Sequence, residues 1–183
     1  MFKIVITVVV FIAIAVLAGF IVIYGGLYNI AATDHHWAPT RWLISTLTDN
    51  AVEHRAASIE VPGNLDDPDR ITRGFEHFDE MCVDCHGAPG IDRDEFAEGL
   101  YPGAPRLERS TRDMTPAEVF WIVKNGIKMT GMPAFTSTHS DEAIWDITAF
   151  VKKLPELSPE QYMSYRQTSG EGEEREDHEG HDH

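Results

Sequence analysis

Five consecutive residues, Cys82-Val83-Asp84-Cys85-His86, constrain this chain more than any other stretch. On one helical turn the two sulfurs, three residues apart, share a face, and an imidazole follows at once. Cys-x-x-Cys-His is the attachment sequence for a c-type haem: the thiols reach the two vinyl groups of one porphyrin, and His86 falls under the iron as proximal ligand. Three other readings compete. A zinc knuckle needs four ligands, and the chain has only two cysteines. A thioredoxin-like redox pair needs a surrounding βαβ pattern that the sequence lacks, and a structural disulfide leaves the adjoining His unexplained. The rest of the chain reads as support for that iron.

With 183 residues, 43% of them hydrophobic, the chain has material for one globular core with appendages. The net charge of -15 argues against nucleic acid and against a basic patch on anionic lipid. Redox protein partners, where charged, should present a basic docking surface. Ile4 to Tyr28 carries no charge, and at about 1.5 Å per residue it is long enough to cross a hydrocarbon core of roughly 30 Å. Residues 1–30 therefore read as a transmembrane anchor. Lys3 sits on the near side, no basic residue follows until Arg41, and Tyr24, Tyr28 and Trp37 suit the far interface. In a bacterium this is a single-pass protein of the cell inner membrane with its body on the periplasmic side. The rival is a signal peptide cleaved near Ala31-Ala32, although secretory apolar regions run only about 7 to 15 residues. Either reading exports the remainder.

Residues 31–62 should hold an amphipathic juxtamembrane helix from Pro39 to Ile59, with Ile44, Leu47, Ala51, Val52, Ala56 and Ile59 at helical spacing. Its apolar face grips a partner subunit, lies on the membrane, or packs on the chain's own haem domain. Residues 63–68 are a linker rich in helix breakers, and 69–157 the haem domain. Asp69 to Cys82 predicts a helix with Ile71, Phe75, Phe78 and Met81 inward. Gly74, Phe78 and Cys82, spaced by four ahead of the haem motif, resemble the N-terminal helix of class I cytochromes c. The resemblance covers about residues 69 to 155 and implies an all-α fold. It further implies that Gly74 lets the C-terminal helix, Ser140 to Leu154, cross closely at Ile147 and Phe150. A missing Cβ permits that approach on physical grounds alone. Pro105-Arg106-Leu107, in an irregular loop from Gly87 to Met114, is similar to the family's Pro-x-Leu. By that resemblance the Pro105 carbonyl accepts the proximal His Nδ1–H and Leu107 packs on the haem, the alternative for Pro105 being an ordinary turn proline.

Thr115-Pro116-Ala117-Glu118 is a capping box for a helix from Pro116 to about Asn125, ended by Gly126. Beyond it, Met129-Thr130-Gly131-Met132-Pro133 resembles the methionine loop of class I cytochromes. Met132 is the expected sixth ligand: Gly131 permits tight approach and Pro133 favours an extended backbone at Met132. Met129 and then His139 are the other candidates. Neutral thioether sulfur favours ferrous iron and raises the potential. Ser158 to Gln161 caps a short helix over 158–168, and 169–183 reads as a disordered, acidic, His-bearing tail in which His178, His181 and His183 offer weak metal binding.

With His86 and Met132 filling both axial positions, the expected function is single-electron transfer by one covalent haem c, tethered to the membrane. The expected protein is a carrier, with no catalytic residue assigned. Two alternatives stand beside it: a haem-bearing subunit of a larger membrane oxidoreductase, and a gas-binding haem sensor.

Overall fold

In a computed structural model, residues 1–179 are described, with side chains described as far as Ser169. They form two compact units, Met1–His35 and a second that begins at His36. The first is dominated by α1 (Phe2–Tyr24), in which no side chain is buried. At about 1.5 Å per residue it is about 35 Å long, enough to cross a bilayer's hydrocarbon core. It is one helix long and apolar enough to cross a membrane.

The second unit is all-α, with no strand among the described residues. It begins with α2 (Ala38–Ala56), so the compact body starts some thirty residues before the expected domain boundary at Asp69. Only the C-terminal half of α2 is packed, through Val52 and Ala56, against α7 (Pro116–Asn125). The predicted apolar face therefore divides: Ile44 and Leu47 remain exposed.

Between these helices run α3 (Pro68–Met81), α4 (Val83–His86), α5 (Glu95–Glu98) and α6 (Leu107–Ser110). Asp67 caps α3 by accepting the Asp69 N–H at 3.0 Å. Thr115 and Glu118 close the predicted box on α7: the Thr115 N–H donates to Glu118 at 2.6 Å and the Glu118 N–H to Thr115 Oγ1 at 3.3 Å. These reciprocal bonds satisfy amides that a helix start otherwise leaves bare. A short 3₁₀ turn (Phe135–Ser137) leads to α8 (Asp141–Lys153), capped by Ser140.

The core is the crossing of α3 and α8. A Cβ on Gly74 would stand 1.9 Å from the Asp146 carbonyl oxygen and 3.0 Å from Phe150 Cβ. The backbone in contact is thus that of Asp146, one residue before the expected Ile147, with Phe150 as expected. Phe150 packs edge to face on Phe75 and tilted on Phe78, each with centroids 5.3 Å apart. Buried Arg70 reaches Glu142 and lies 2.8 Å from Asp146, which Arg73 also meets at 2.8 Å. The crossing is therefore tied by charge as well as packing.

After a second 3₁₀ turn (Leu154–Glu156) comes α9 (Pro159–Glu179). The expected short helix over 158–168 continues instead through eleven residues, 169–179, assigned to the disordered tail. That stretch has no proline and is rich in glutamate, a strong helix former, so Gly170 and Gly172 alone do not stop a helix started at Pro159. Residues 180–183 lie outside the described residues, and the expected metal binding by His178, His181 and His183 falls outside the described side chains. Tyr162 on α9 is fully buried between Phe75 and Phe150, and its hydroxyl donates to Asp79 at 2.7 Å. Arg166 Nε reaches both oxygens of the same carboxylate at 2.9 Å.

Candidate haem-binding site

The motif sits where α3 turns into α4. Cys82 ends α3, and the His86 N–H donates to its carbonyl at 2.9 Å, so one turn carries both sulfurs and the imidazole as the spacing predicts. Both thiols are free and half-buried. Burial pushes the Cys82 thiol up to about 12, with the neighbouring Cys85 adding to it. Cys85 is also raised, by burial first and then by Asp84 and Asp94.

His86 is buried, and its Nδ1 lies 2.7 Å from the Pro105 carbonyl oxygen. A carbonyl only accepts, so Nδ1 carries the proton and donates it; Nε2 is left with its lone pair for a metal. Burial holds this imidazole below its ordinary pKa, the Pro105 bond opposes that, and Arg93 adds to the lowering. The neutral ring is the form that ligates metal. The residues present thus fit an iron porphyrin.

Pro105 is held in place by the loop around it. Arg106 reaches Asp92 at 2.5 Å, Thr111 Oγ1 donates to the Leu107 carbonyl at 2.7 Å, and Lys152 Nζ donates to the carbonyls of Thr111 and Met114 at 2.7 and 2.6 Å. Leu107, half-buried, packs against the core cluster together with Cys82 and Met132. Pro105 therefore meets the motif directly, while Leu107 packs on the core cluster.

The two thioethers differ. Met129 stands 95% exposed with φ +62, a left-handed backbone unusual for a side chain with a Cβ, whereas Met132 is half-buried against the core. His139 has its ring against His77 and Phe135, with Nδ1 2.8 Å from Thr138 Oγ1.

Sequence reasoning gave Gly126 the role of helix stop alone. Its φ is +64, and a Cβ there would lie 2.7 Å from the Met132 oxygen and from Pro133. It thus doubles as the floor of the methionine loop, where the Ile127 N–H donates to the Met132 carbonyl at 3.2 Å and the Met132 N–H to Thr130 Oγ1 at 3.1 Å. Leu100 was also missed. Its side chain covers Gly131, from which an added Cβ would be 2.9 Å away. A glycine after a helix signals the turn, but no local pattern signals which distant backbone fills the space left by its missing side chain.

Residues 69–151 match the family of cytochrome c oxidase, cbb3-type, subunit III. Among curated proteins, the chain is 31% identical over 84 residues to a 1-butanol dehydrogenase (cytochrome c) of Thauera butanivorans, covering 46% of this chain and 11% of that one. It is likewise 31% identical over 86 residues to a quinohemoprotein alcohol dehydrogenase of Comamonas testosteroni, covering 47% and 11%. The chain thus spans about a tenth of the length of these relatives. No solved structure matches it.

Proposed function

We infer from the chain's class I cytochrome c domain, which residues 69–151 form, that this protein carries single electrons between redox partners while tethered to a membrane. A cytochrome c domain implies electron transfer by haem. One haem c is bound through Cys82 and Cys85, with His86 and Met132 as axial ligands. The haem supplies one-electron Fe(II)/Fe(III) cycling. The carrying observation is the 2.7 Å contact of His86 Nδ1 with the Pro105 carbonyl. That bond fixes the ring's rotation and makes Nε2 a better donor. Leu107 shields the same side, and Gly126, Ile127 and Thr130 hold Met132's backbone. With two strong ligands from the chain, no axial position is left for a substrate, which favours a carrier over an enzyme or a gas sensor.

Residues 1–30 anchor the protein in the cell inner membrane, with the haem domain on the periplasmic side. The net charge of -15 favours partners with a basic docking surface. The second reading, a haem-bearing subunit of a larger membrane oxidoreductase, is favoured by the likeness to an oxidase subunit family and to domains of much longer dehydrogenases.

The test is a pair of substitutions in the purified haem protein. Met132→Ala should abolish the iron–thioether absorption, lower the reduction potential and let ferrous protein bind carbon monoxide; Met129→Ala should do none of these. The reverse result moves the ligand, and haem extracted by acidified organic solvent removes the covalent assignment. Stoichiometric companions after purification in mild detergent favour the subunit reading.

A further inference from the structure

The first half of α2 presents large apolar side chains to solvent that no element of the described chain covers. On α2 Trp42 is 67% exposed, Leu43 61%, Ile44 48% and Leu47 67%, and Trp37, just before the helix, is 77% exposed. Leu43, Ile44 and Leu47, at i, i+1 and i+4, share one side of the helix. Yet this stretch is not loose. At its start the His36 N–H donates to the Tyr101 hydroxyl at 2.9 Å, with the rings 5.3 Å apart. At its far end Val52 and Ala56 are buried, and the Arg55 guanidinium lies over the Trp121 ring at 6.0 Å. An apolar face fixed at both ends and bare between is a docking surface.

We propose that this half of α2 lies along the membrane surface, with Leu43, Ile44 and Leu47 in the lipid interface, and so sets the orientation of the haem domain. The proposal rests on the anchor reading above. Three observations favour lipid as the occupant. First, residues 25–37 alone separate the end of α1 from α2, a reach of at most about 45 Å at roughly 3.5 Å per residue, so a spanning α1 confines α2 near the bilayer. Second, residues 35–48 contain no acid and a single Arg, in a chain with 30 acidic side chains. Acids that anionic headgroups would repel are missing from the stretch that carries these exposed apolar side chains. Third, the exposed set includes two tryptophans, whose amphipathic rings suit the headgroup level. With one cation available, attachment is by apolar area, which salt does not screen.

The consequence reaches the haem site. Tyr101, which grips the start of α2, follows Leu100, which covers Gly131 beside Met132. A helix lying on lipid therefore fixes the methionine loop relative to the bilayer as well.

The test uses the full haem-loaded chain in phosphatidylcholine proteoliposomes. With the native cysteines in thioether bonds, Leu47→Cys and, on the opposite side of α2, Ser45→Cys each offer one thiol for a spin label. Expected is a label at position 47 reached by dissolved oxygen but not by a water-soluble nickel complex, the label at 45 showing the opposite, and no change with salt. Equal nickel access at both positions, in protein that floats with alkali-washed vesicles, overturns the proposal while leaving the anchor reading intact. Protein that fails to float overturns the anchor and with it this inference. A label at 47 shielded from both probes overturns lipid in favour of a protein partner or a second copy.

Discussion

Replacing Gly74 by alanine should expose how tightly the haem-bearing helix depends on α8. The new Cβ would lie 1.9 Å from the Asp146 carbonyl oxygen, 2.6 Å from its carbon and 3.0 Å from Phe150 Cβ. Ordinary contact begins at about 3.4 Å, so the two backbones must separate by about 1.5 Å. The two nearest atoms belong to a helix backbone, which has no rotamer to change. Overpacking costs about 1–3 kcal/mol, and a backbone collision sits at the upper end. Alanine returns about 1 kcal/mol in helix propensity. The net loss is about 2 kcal/mol, which for a body of this size lowers Tm by roughly 4–8 °C. Gly63, whose added Cβ meets nothing within 4 Å, is the control. Gly63→Ala should be neutral within about 0.5 kcal/mol, as surface changes usually are. Thermal melts of the haem-loaded proteins followed by circular dichroism decide it. A Gly74→Ala protein as stable as the wild type would refute the close crossing.

Gly126→Ala should distort the methionine loop, since the Cβ meets the Met132 oxygen at 2.7 Å and φ is +64; a cost of about 1–2 kcal/mol is expected, with a weakened iron–thioether band in the visible spectrum. Tyr162→Phe should lose about 1 kcal/mol at neutral pH, measured by urea titration, because the hydrogen bond to Asp79 goes while Arg166 still pairs with that carboxylate. Burial, then the Asp79 hydrogen bond, raise the Tyr162 hydroxyl above the usual tyrosine range, so the unfolded chain releases that proton at about pH 10 while the folded one retains it. The tyrosine's contribution is thus complete below pH 10 and declines as pH rises beyond it; wild type and Tyr162→Phe should converge there, and parallel curves would contradict the burial argument.

What was legible in the sequence is what is local. The helical turn over Cys82–His86, the Thr115 box, the Ser140 cap and the Gly126 stop each depend on residues within four of one another, and each forms as the spacing predicts. Pro105 was reached by resemblance, and its carbonyl does meet His86 across nineteen residues. Contacts whose partner is set by tertiary packing were not legible. Tyr101 on His36 spans 65 residues and Tyr162 on Asp79 spans 83; no periodicity announces either. The division of α2 has the same origin: its apolar spacing is continuous, but α7 covers only the second half. The end of α9 was misread because composition that argues against a buried core does not argue against an extension of a helix already begun.

The matched region ends at residue 151, so α2 and α9 are additions on either side of it, and they differ in what they can meet. The α9 helix joins the core through Tyr162 and the Arg166–Asp79 pair, behind the α3–α8 crossing. The α2 helix keeps an open apolar face. Charge divides the same way. Of the 30 acidic side chains only Asp34 falls within the first 48 residues, and 24 lie from Asp69 onward, in the haem domain and its C-terminal extension. At physiological ionic strength such charge is felt over about 8 Å. An acidic body held against anionic headgroups would be repelled; one held by a face that carries no acid is not. Residues 35–48 combine exposed apolar side chains with an absence of acids, which is the arrangement needed for a domain to rest on lipid by one side and offer its acidic remainder to a basic electron partner.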